Sequence, residues 1–386
     1  MDTRIRQMTM DESESIKAYD IAIIGAGING CALAYELHKS GQKVIVMDKE
    51  GIASGGSGAA GAFINPKISK AGELKKLIEE AYRYSLDFYN ENFPKFTTQA
   101  PLLHISKYEN DNEKVQYFKD STSLALQEPP TSLLNKLKPH ALAYSSVCLK
   151  NNAIVEAKEI CEAMLTGVDY KKIHLKKPKF INGFWEIDGY KAKKIVLCTG
   201  AYEEVFKEDY ISLRRIYGQR CEIESSSFMH ESVHHEVSIS ATKKNGCIAI
   251  GASHYLDEKD LPSKKQGAQD LILLAQKSIE LKDIKIINTF TGMRSGSNDY
   301  LPIVGSLIDM QKSLELGPSA LKGDKTAFLS FIPNVYMING VGGYGFVLAP
   351  FLAKMMKEFL VEGKALASYL EPKRFYYRYA KKKGSL

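Results

Sequence analysis

The sequence predicts an α/β fold, a parallel sheet wrapped by helices into which a second, antiparallel sheet is inserted. Three observations point there. Short apolar runs rich in β-branched residues recur at Ile21-Ala22-Ile23-Ile24, Val44-Ile45-Val46-Met47 and Lys194-Ile195-Val196-Leu197-Cys198, as expected of strands buried on both faces. The first two runs enclose a helical pattern from Cys31 to Ser40 that Gly41 closes at a C-cap position, so strand, helix and strand follow one another. Between 211 and 290 the pattern changes to alternating strand-like pieces with one helix near 266–281, which suits an inserted sheet.

Taken in order, the first strand runs straight into Gly25-Ala26-Gly27-Ile28-Asn29-Gly30. In a G-x-G-x-x-G turn the first glycine permits the tight bend, the second lets a pyrophosphate approach the backbone, and the third lets helix pack on strand. The phosphates would meet free N–H groups and the positive end of the helix dipole. Asp48, followed by Lys49, ends the second strand where a carboxylate can accept hydrogen bonds from ribose hydroxyls. Such glycines also make strand-to-helix turns with no ligand; strand, helix, second strand and terminal acid together favour a dinucleotide.

Residues 52–62 follow, dominated by Gly, Ala and Ser. Ser54, Ser57, Gly58 and Ala59 could give a second cradle of amides and hydroxyls for the pyrophosphate, which favours FAD over NAD, because a nicotinamide enzyme would continue with further α/β units. The other reading is a flexible loop, although Phe63-Ile64 and an amphipathic helix over 72–91 follow closely. Residues 92–145 carry no motif. Thr199-Gly200-Ala201 closes the 194–198 strand. At 335–361 strand, loop and helix return through Gly340-Val341-Gly342-Gly343-Tyr344-Gly345. The N-terminus of that last helix could stabilise negative charge on a reduced flavin.

The chain has 386 residues and a formal net charge of +7, which permits a polyanionic partner without demanding one. Its six cysteines form no C-x-x-C pair and no zinc-like spacing with histidine. They read as buried, reduced thiols of a cytoplasmic protein, and no metal ligand set is read. The first twenty residues hold no apolar run, and nowhere is there a stretch long enough for a membrane span.

Four blocks taken together resemble the D-amino-acid-oxidase-like (DAO) superfamily of FAD-dependent amine oxidoreductases. They are IAIIGAGINGCALAYEL with Asp48; ASGGSGAAG; KIVLCTGA; and the pair GMRSGSNDYLPIVG and NGVGGYGFVLAP. Within it the likeness is nearest to the FAD-dependent C-terminal half of the tRNA 5-methylaminomethyl-2-thiouridine biosynthesis bifunctional proteins. Ser57-Gly58 with Pro66-Lys67-Ile68-Ser69-Lys70 is similar to their S-G…P-x-x-S-K stretch. Arg294 with Asp299-Tyr300-Leu301-Pro302-Ile303-Val304-Gly305 resembles their R…D-H-L-P-M-V-G. The loop 340–345, with Ala349-Pro350, resembles their G-x-G-S-R-G…A-P. Two departures bear on the substrate: Ala59-Ala60-Gly61 stands where that family has N-R-Q, and Tyr344 where it has Arg.

The resemblance implies a Rossmann-like FAD-binding domain of the DAO/glutathione-reductase type. The expected division is a tail at 1–18; a discontinuous FAD domain at 19–91, 146–212 and 290–364; a substrate domain at 92–145 and 213–289; and a basic aromatic tail at 365–386. It implies hydride transfer from a carbon beside an amine to flavin, then hydrolysis of the imine. In the tRNA-modifying relatives a carboxymethyl group leaves 5-carboxymethylaminomethyluridine as glyoxylate. Arg294 is expected to hold the substrate carboxylate with its guanidinium fork beside the cofactor, although a structural ion pair is the other reading of this arginine. Gly218-Gln219, Gly342, Gly343, Tyr344 and Gly345 are expected around the flavin ring. No general base is assigned, and placement in core or surface is the simpler reading of His254 and Tyr255.

An RNA substrate would use the clusters Lys171, Lys172, Lys176, Lys177 and Lys179, or Lys373, Arg374, Arg378 and Lys381 to Lys383 with Phe375, Tyr376, Tyr377 and Tyr379 between them. A solvated lysine face explains them equally well. Residues 1–18 are too few for a methyltransferase half, so a separate methyltransferase partner is expected. The alternatives are a small-molecule amine oxidase of the glycine or sarcosine kind, and a flavin-bound assembly partner without catalysis. Oligomeric state is not legible.

Overall fold

The computed structural model describes residues 17–202, 205–206 and 208–385. The expected N-terminal tail lies outside the described residues up to residue 16, and Ala18 already begins the first strand.

The parallel sheet has the spatial order Asp169–Lys172, Val44–Asp48, Ala18–Ile24, Tyr190–Leu197, Phe331–Asn339, all parallel. Ile303–Ile308 returns antiparallel on the last of these, and Phe184–Ile187 folds back on Tyr190–Leu197. Unbroken apolar runs make such strands because both faces are covered. Ile21 and Ile23 enter one core with Leu33, Leu37 and Met356, while Ala22 and Ile24 enter the other with Ile195, Leu197 and Tyr376. The helices Ile28–Lys39 and Gly345–Glu362 pack on the same face. Glu73–Asn92 is pinned to the start of the second of these. There Ser85 Oγ donates to Val347 O at 2.7 Å and Tyr89 Oη to Phe346 O at 3.0 Å.

The second sheet runs in the order Lys285–Ser297, Leu213–Glu224, Ile248–Gly251, Ser238–Ile239, Ser232–His234, Leu102–Ile105, Ser146–Leu149, Leu126–Gln127. It is antiparallel except where Ser232–His234 pairs parallel with Leu102–Ile105. The helix Lys264–Ser278 covers it with Ala268, Leu271 and Ala275.

Three boundaries differ from the sequence expectation. Ser146–Leu149 belongs to the second sheet, beside Leu102–Ile105. The division expected at 290 cuts Lys285–Ser297, one continuous strand paired along Leu213–Glu224. The expected tail contains the helix Lys373–Gly384, whose Phe375, Tyr376 and Ala380 lie in the core on one face. Arg374 fastens it, with Nε 2.9 Å from Asp299 Oδ2 and Nη2 donating to the carbonyls of Leu301 and Pro302. Among the described residues no helix is long and apolar enough to cross a membrane.

A buried ionic network joins the second sheet to the glycine-rich loop. Arg220 Nη1 and Lys243 Nζ both lie 2.8 Å from Glu222 Oε1, Lys243 also reaches Glu156 Oε2 at 2.7 Å, and Arg220 Nη2 donates to Gly58 O. Burial raises the proton affinity of Glu222, but the cations of Arg220 and Lys243 outweigh it and hold its pKa at about 2. Glu156, which shares Lys243 as its one cation and accepts a weaker bond from Asn245 Nδ2, is held above the ordinary value by its burial. The two carboxylates therefore act in opposite directions, and Glu222 is the stabilising one. With its folded pKa below the unfolded value of 4.5, its contribution is complete above that value and lost as pH falls toward 2. Glu222→Gln is expected to cost about 3 kcal/mol at neutral pH, a difference that should vanish on acidification. Thermal melts of the two proteins across pH check it; parallel melting curves down to the acid limb would contradict it.

Candidate active site

A cavity of about 490 Å³ opens at the carboxyl ends of the parallel strands, lined there by Ile24, Met47, Asp48 and Cys198. This is the crevice where open α/β sheets bind ligands. At its first end Gly25 takes φ +109°, and a Cβ there would lie 2.3 Å from Cys198 O. On Gly30 a Cβ would lie 1.9 Å from Gly25 O, so this glycine serves helix packing. Gly27 differs: within the chain its Cβ would meet Ser57 Oγ alone, at 3.1 Å. The chain itself crowds this position with one side-chain atom and no backbone, whereas a ligand lying against the backbone would require glycine.

Asp48 braces this turn. Its Oδ2 accepts from Ala26 N at 2.8 Å, and its Oδ1 accepts from the amides of Glu50 and Gly51 at 2.9 Å each. Of roughly four lone-pair sites on a carboxylate, the remaining capacity faces the cavity. Asn29, 7% exposed, lines it with an Oδ1 that has no hydrogen-bond partner. Lys49 lies 4.4 Å over the ring of Tyr202 on the same wall.

The loop at 53–61 is a shared wall. Ser57 Oγ accepts from Ile28 N at 2.9 Å, capping the first helix. On the other side, a Cβ on Gly56 would lie 2.6 Å from Met293 O, and one on Gly292 would lie 2.6 Å from Ala59 Cβ. The loop thus needs small residues on both itself and the strand it touches.

At the far end Arg294 projects from Lys285–Ser297. Its Nη1 donates to Ser253 O at 3.3 Å, and it pairs with no carboxylate among the described residues. Burial alone pushes its guanidinium below the ordinary value, and it remains a cation. A Cβ on Gly218 would stand 2.9 Å from Arg294 Nη2, so that glycine makes room for the fork. His254 lies at the cavity edge, its proton affinity lowered by partial burial and then by the Arg294 charge. Gly342 and Gly343 meet nothing within 4 Å in the direction of a Cβ. The helix Gly345–Glu362 points its N-terminus here with no side chain capping it. Burial pushes the Tyr344 phenol up to about 12. It therefore faces the cavity as a neutral hydroxyl.

Most of the sequence-predicted residues converge on this cavity: Gly25, Gly27, Ile28, Asn29, Asp48, Lys49, Ser54, Ser57, Ala59, Thr199, Gly200, Ala201, Gly218, Arg294 and Gly342 to Gly345. Gly30, Gly58 and Gln219 do not line it. Gly58 packs on Ala53 O, and strand alternation turns Gln219 away, its Nε2 donating to Pro262 O at 3.0 Å. Sequence reasoning missed Asn339 and His234. Asn339 Oδ1 accepts from Ser295 Oγ and Gly340 N, while its Nδ2 donates to Gly200 O, all at 2.8 Å. It thereby ties three walls together, and its place just before the last glycine cluster was the available signal. His234, against Phe63, has a buried Nε2 without a partner; burial and then His104 lower its pKa to about 3.

These residues fit an extended dinucleotide with a flavin ring: open glycines at both ends, an orphaned buried acceptor, and two helix N-termini aimed inward. The match to known proteins agrees. Residues 20–359 match the DAO family, described as FAD dependent oxidoreductase. The chain is 25% identical over 311 residues to the tRNA 5-methylaminomethyl-2-thiouridine biosynthesis bifunctional protein MnmC of Campylobacter concisus, covering 76% of this chain and 48% of that protein. It is 25% identical to the protein of the same name from Leptospira interrogans, covering 94% and 61%. The chain thus spans about half to three-fifths of these relatives. In fold it is similar to L-proline dehydrogenase from P. horikoshii (TM-score 0.74, 17% identity, 93% and 98% covered). It is also similar to glycine oxidase from Bacillus cereus (TM-score 0.71, 18% identity, 91% and 97% covered).

Proposed function

The chain belongs to the DAO family of FAD-dependent oxidoreductases, and from that premise we propose that it oxidises the C–N bond of a carboxymethylamino group carried by a wobble uridine of tRNA. The observation that carries this reading is Arg294, a largely buried cation, unpaired with any acid among the described residues, and lining the cavity. A buried guanidinium without an anion calls for one from outside the chain, and a carboxymethyl arm supplies it.

Bound FAD would supply the two-electron oxidant, accepting a hydride from the methylene carbon. The amine nitrogen gives up its proton, leaving a C=N bond; water adds across it, and the C–N bond breaks to release glyoxylate and the aminomethyl nucleoside. The chain's part is to hold and to exclude. Arg294 anchors the carboxylate and so fixes the methylene carbon beside it. Tyr344 stays protonated and can donate a hydrogen bond. The uncapped start of Gly345–Glu362 faces the cavity with positive potential and would stabilise negative charge on a reduced cofactor there.

The RNA part of the reading is supported by the named relatives and by exposed aromatic residues paired with cations. Tyr202, on the cavity wall against Lys49, is 42% exposed; elsewhere on the surface Tyr300 is 60% exposed, with the Arg214 guanidinium stacked 4.0 Å from its ring centroid. Exposed aromatics next to cations suit unstacked bases better than they suit a free amino acid. Cytoplasmic residence and a separate methyltransferase acting on the product are part of the same proposal.

A second reading, oxidation of free glycine or sarcosine, is favoured by the same arginine, since those substrates present the same arm. The two separate on one experiment. Purified protein is offered tRNA bearing the carboxymethylaminomethyl group and, in parallel, free glycine and sarcosine. Loss of the group from the tRNA with glyoxylate release is expected, with free amino acids turned over at least about 100-fold less efficiently. Robust glycine oxidation with the nucleoside unchanged would establish the second reading instead.

A further inference from the structure

Away from the cavity, three side chains with metal-ligating atoms meet. His140 lies on the short helix Pro139–Leu142, and His235 and Glu236 follow the strand Ser232–His234. His140 Nε2 is 3.1 Å from Glu236 Oε1, although the two residues are 96 apart in sequence. One ligand atom from each of the three lies within 4.8 Å of the others. None of the three lines the cavity.

His235 carries the inference. It is 8% exposed. Its Nδ1 meets Ser278 Oγ at 2.9 Å, whereas its Nε2 is buried and has no hydrogen-bond partner. A ring nitrogen hidden from water and left unbonded is destabilising unless something outside the chain satisfies it. Metal-bound histidines show this same division: one nitrogen rests on an oxygen that fixes the tautomer, and the other presents its lone pair.

The frame holding these groups is built from backbone. Lys138 N donates to Ser278 O, and Glu280 N to Lys136 O, at 2.9 Å each. The segment bearing His140 and the oxygen that orients His235 therefore move together. Lys107 Nζ sits 3.3 Å from Glu236 Oε2 and is 41% exposed. It occupies the carboxylate oxygen that His140 does not, and leaves Oε1 to the site.

We propose that His140, His235 and Glu236 form a zinc site, with Ser278 setting the His235 tautomer and water completing a tetrahedron. Two imidazoles and one carboxylate suit Zn²⁺; Ca²⁺ and Mg²⁺ require oxygen ligands. Zinc here clamps the hairpin Ser232–His234/Ser238–Ile239, whose His234 and Ser238 wall the cavity, to the segment at 136–142.

The test uses the flavin-loaded protein, treated with a chelator and titrated calorimetrically with Zn²⁺ alone at neutral pH. One Zn²⁺ per chain is expected with a micromolar or tighter Kd. A melting temperature raised by a few degrees is expected at saturating zinc, with no response to Ca²⁺ or Mg²⁺. His140→Ala, at an exposed position, should weaken binding at least tenfold without changing the zinc-free melting temperature. His235→Asn should abolish it, and Ser278→Ala should weaken it about tenfold. Absence of stoichiometric binding, or equal binding by the His140→Ala and His235→Asn proteins, would overturn the assignment. Turnover plays no part in the readout, so the result stands apart from the substrate reading.

Discussion

Replacing Arg294 by alanine is expected to leave a folded, yellow protein whose kcat/KM falls by roughly two to three orders of magnitude. The size follows from what is lost. Truncating one partner of a buried, hydrogen-bonded charge pair costs about 2–5 kcal/mol, and each 1.4 kcal/mol is tenfold. Folding should survive, because the side chain makes a single hydrogen bond, to Ser253 O, and leaves no acid stranded among the described residues. Arg294→Lys should recover only part of the activity: it restores charge but not the planar fork that matches a carboxylate. Steady-state kinetics beside the visible spectrum check this. Unchanged kinetics in a fully yellow Arg294→Ala protein would remove the arginine from the site.

Gly27→Val should give the opposite phenotype, a folded protein that is nearly colourless. A Cβ at this position would meet Ser57 Oγ at 3.1 Å and no backbone atom, so the fold is expected to adjust to the side chain. It would occupy the space where the pyrophosphate meets the helix N-terminus, and flavin affinity should drop by about 100-fold or more, near 3 kcal/mol. Gly30→Val provides the contrast. There the Cβ would collide with Gly25 O at 1.9 Å, and loss of fold, not of cofactor alone, is expected. Flavin absorbance per chain and circular dichroism distinguish the two. Full flavin content in Gly27→Val would show that the second glycine serves the turn and nothing else.

The nucleotide end was legible because glycine at fixed spacing has a steric meaning that needs no tertiary context. The strand, the turn and the acid at Asp48 each specify the next. The substrate end was legible only in part. Gly218 was found but Gln219 was placed with it, although successive residues of a strand face opposite ways and only one of the pair can reach the cavity. Ser146–Leu149 could not be assigned to a sheet, since a short apolar run reads the same in either. The C-terminal helix was hidden by its charge. Lys381 to Lys383 suggest a solvated tail, yet Phe375, Tyr376 and Ala380 form an apolar face beneath them. His140, His235 and Glu236 have no linear signal at all, because a fold, and not a spacing, brings them together.

The loop capping the first helix through Ser57 is also wedged under Met293 and Ala59's neighbour Gly292, and is tethered at Gly58 O by Arg220. It acts as a bolt through two plates. Neither sheet can swing away without drawing the bolt from the helix start, so release of the prosthetic group is expected to require the plates to loosen their grip. An enzyme fastened in this way is expected to trade rapid exchange of its redox group for permanence, and to retain its colour through dilution.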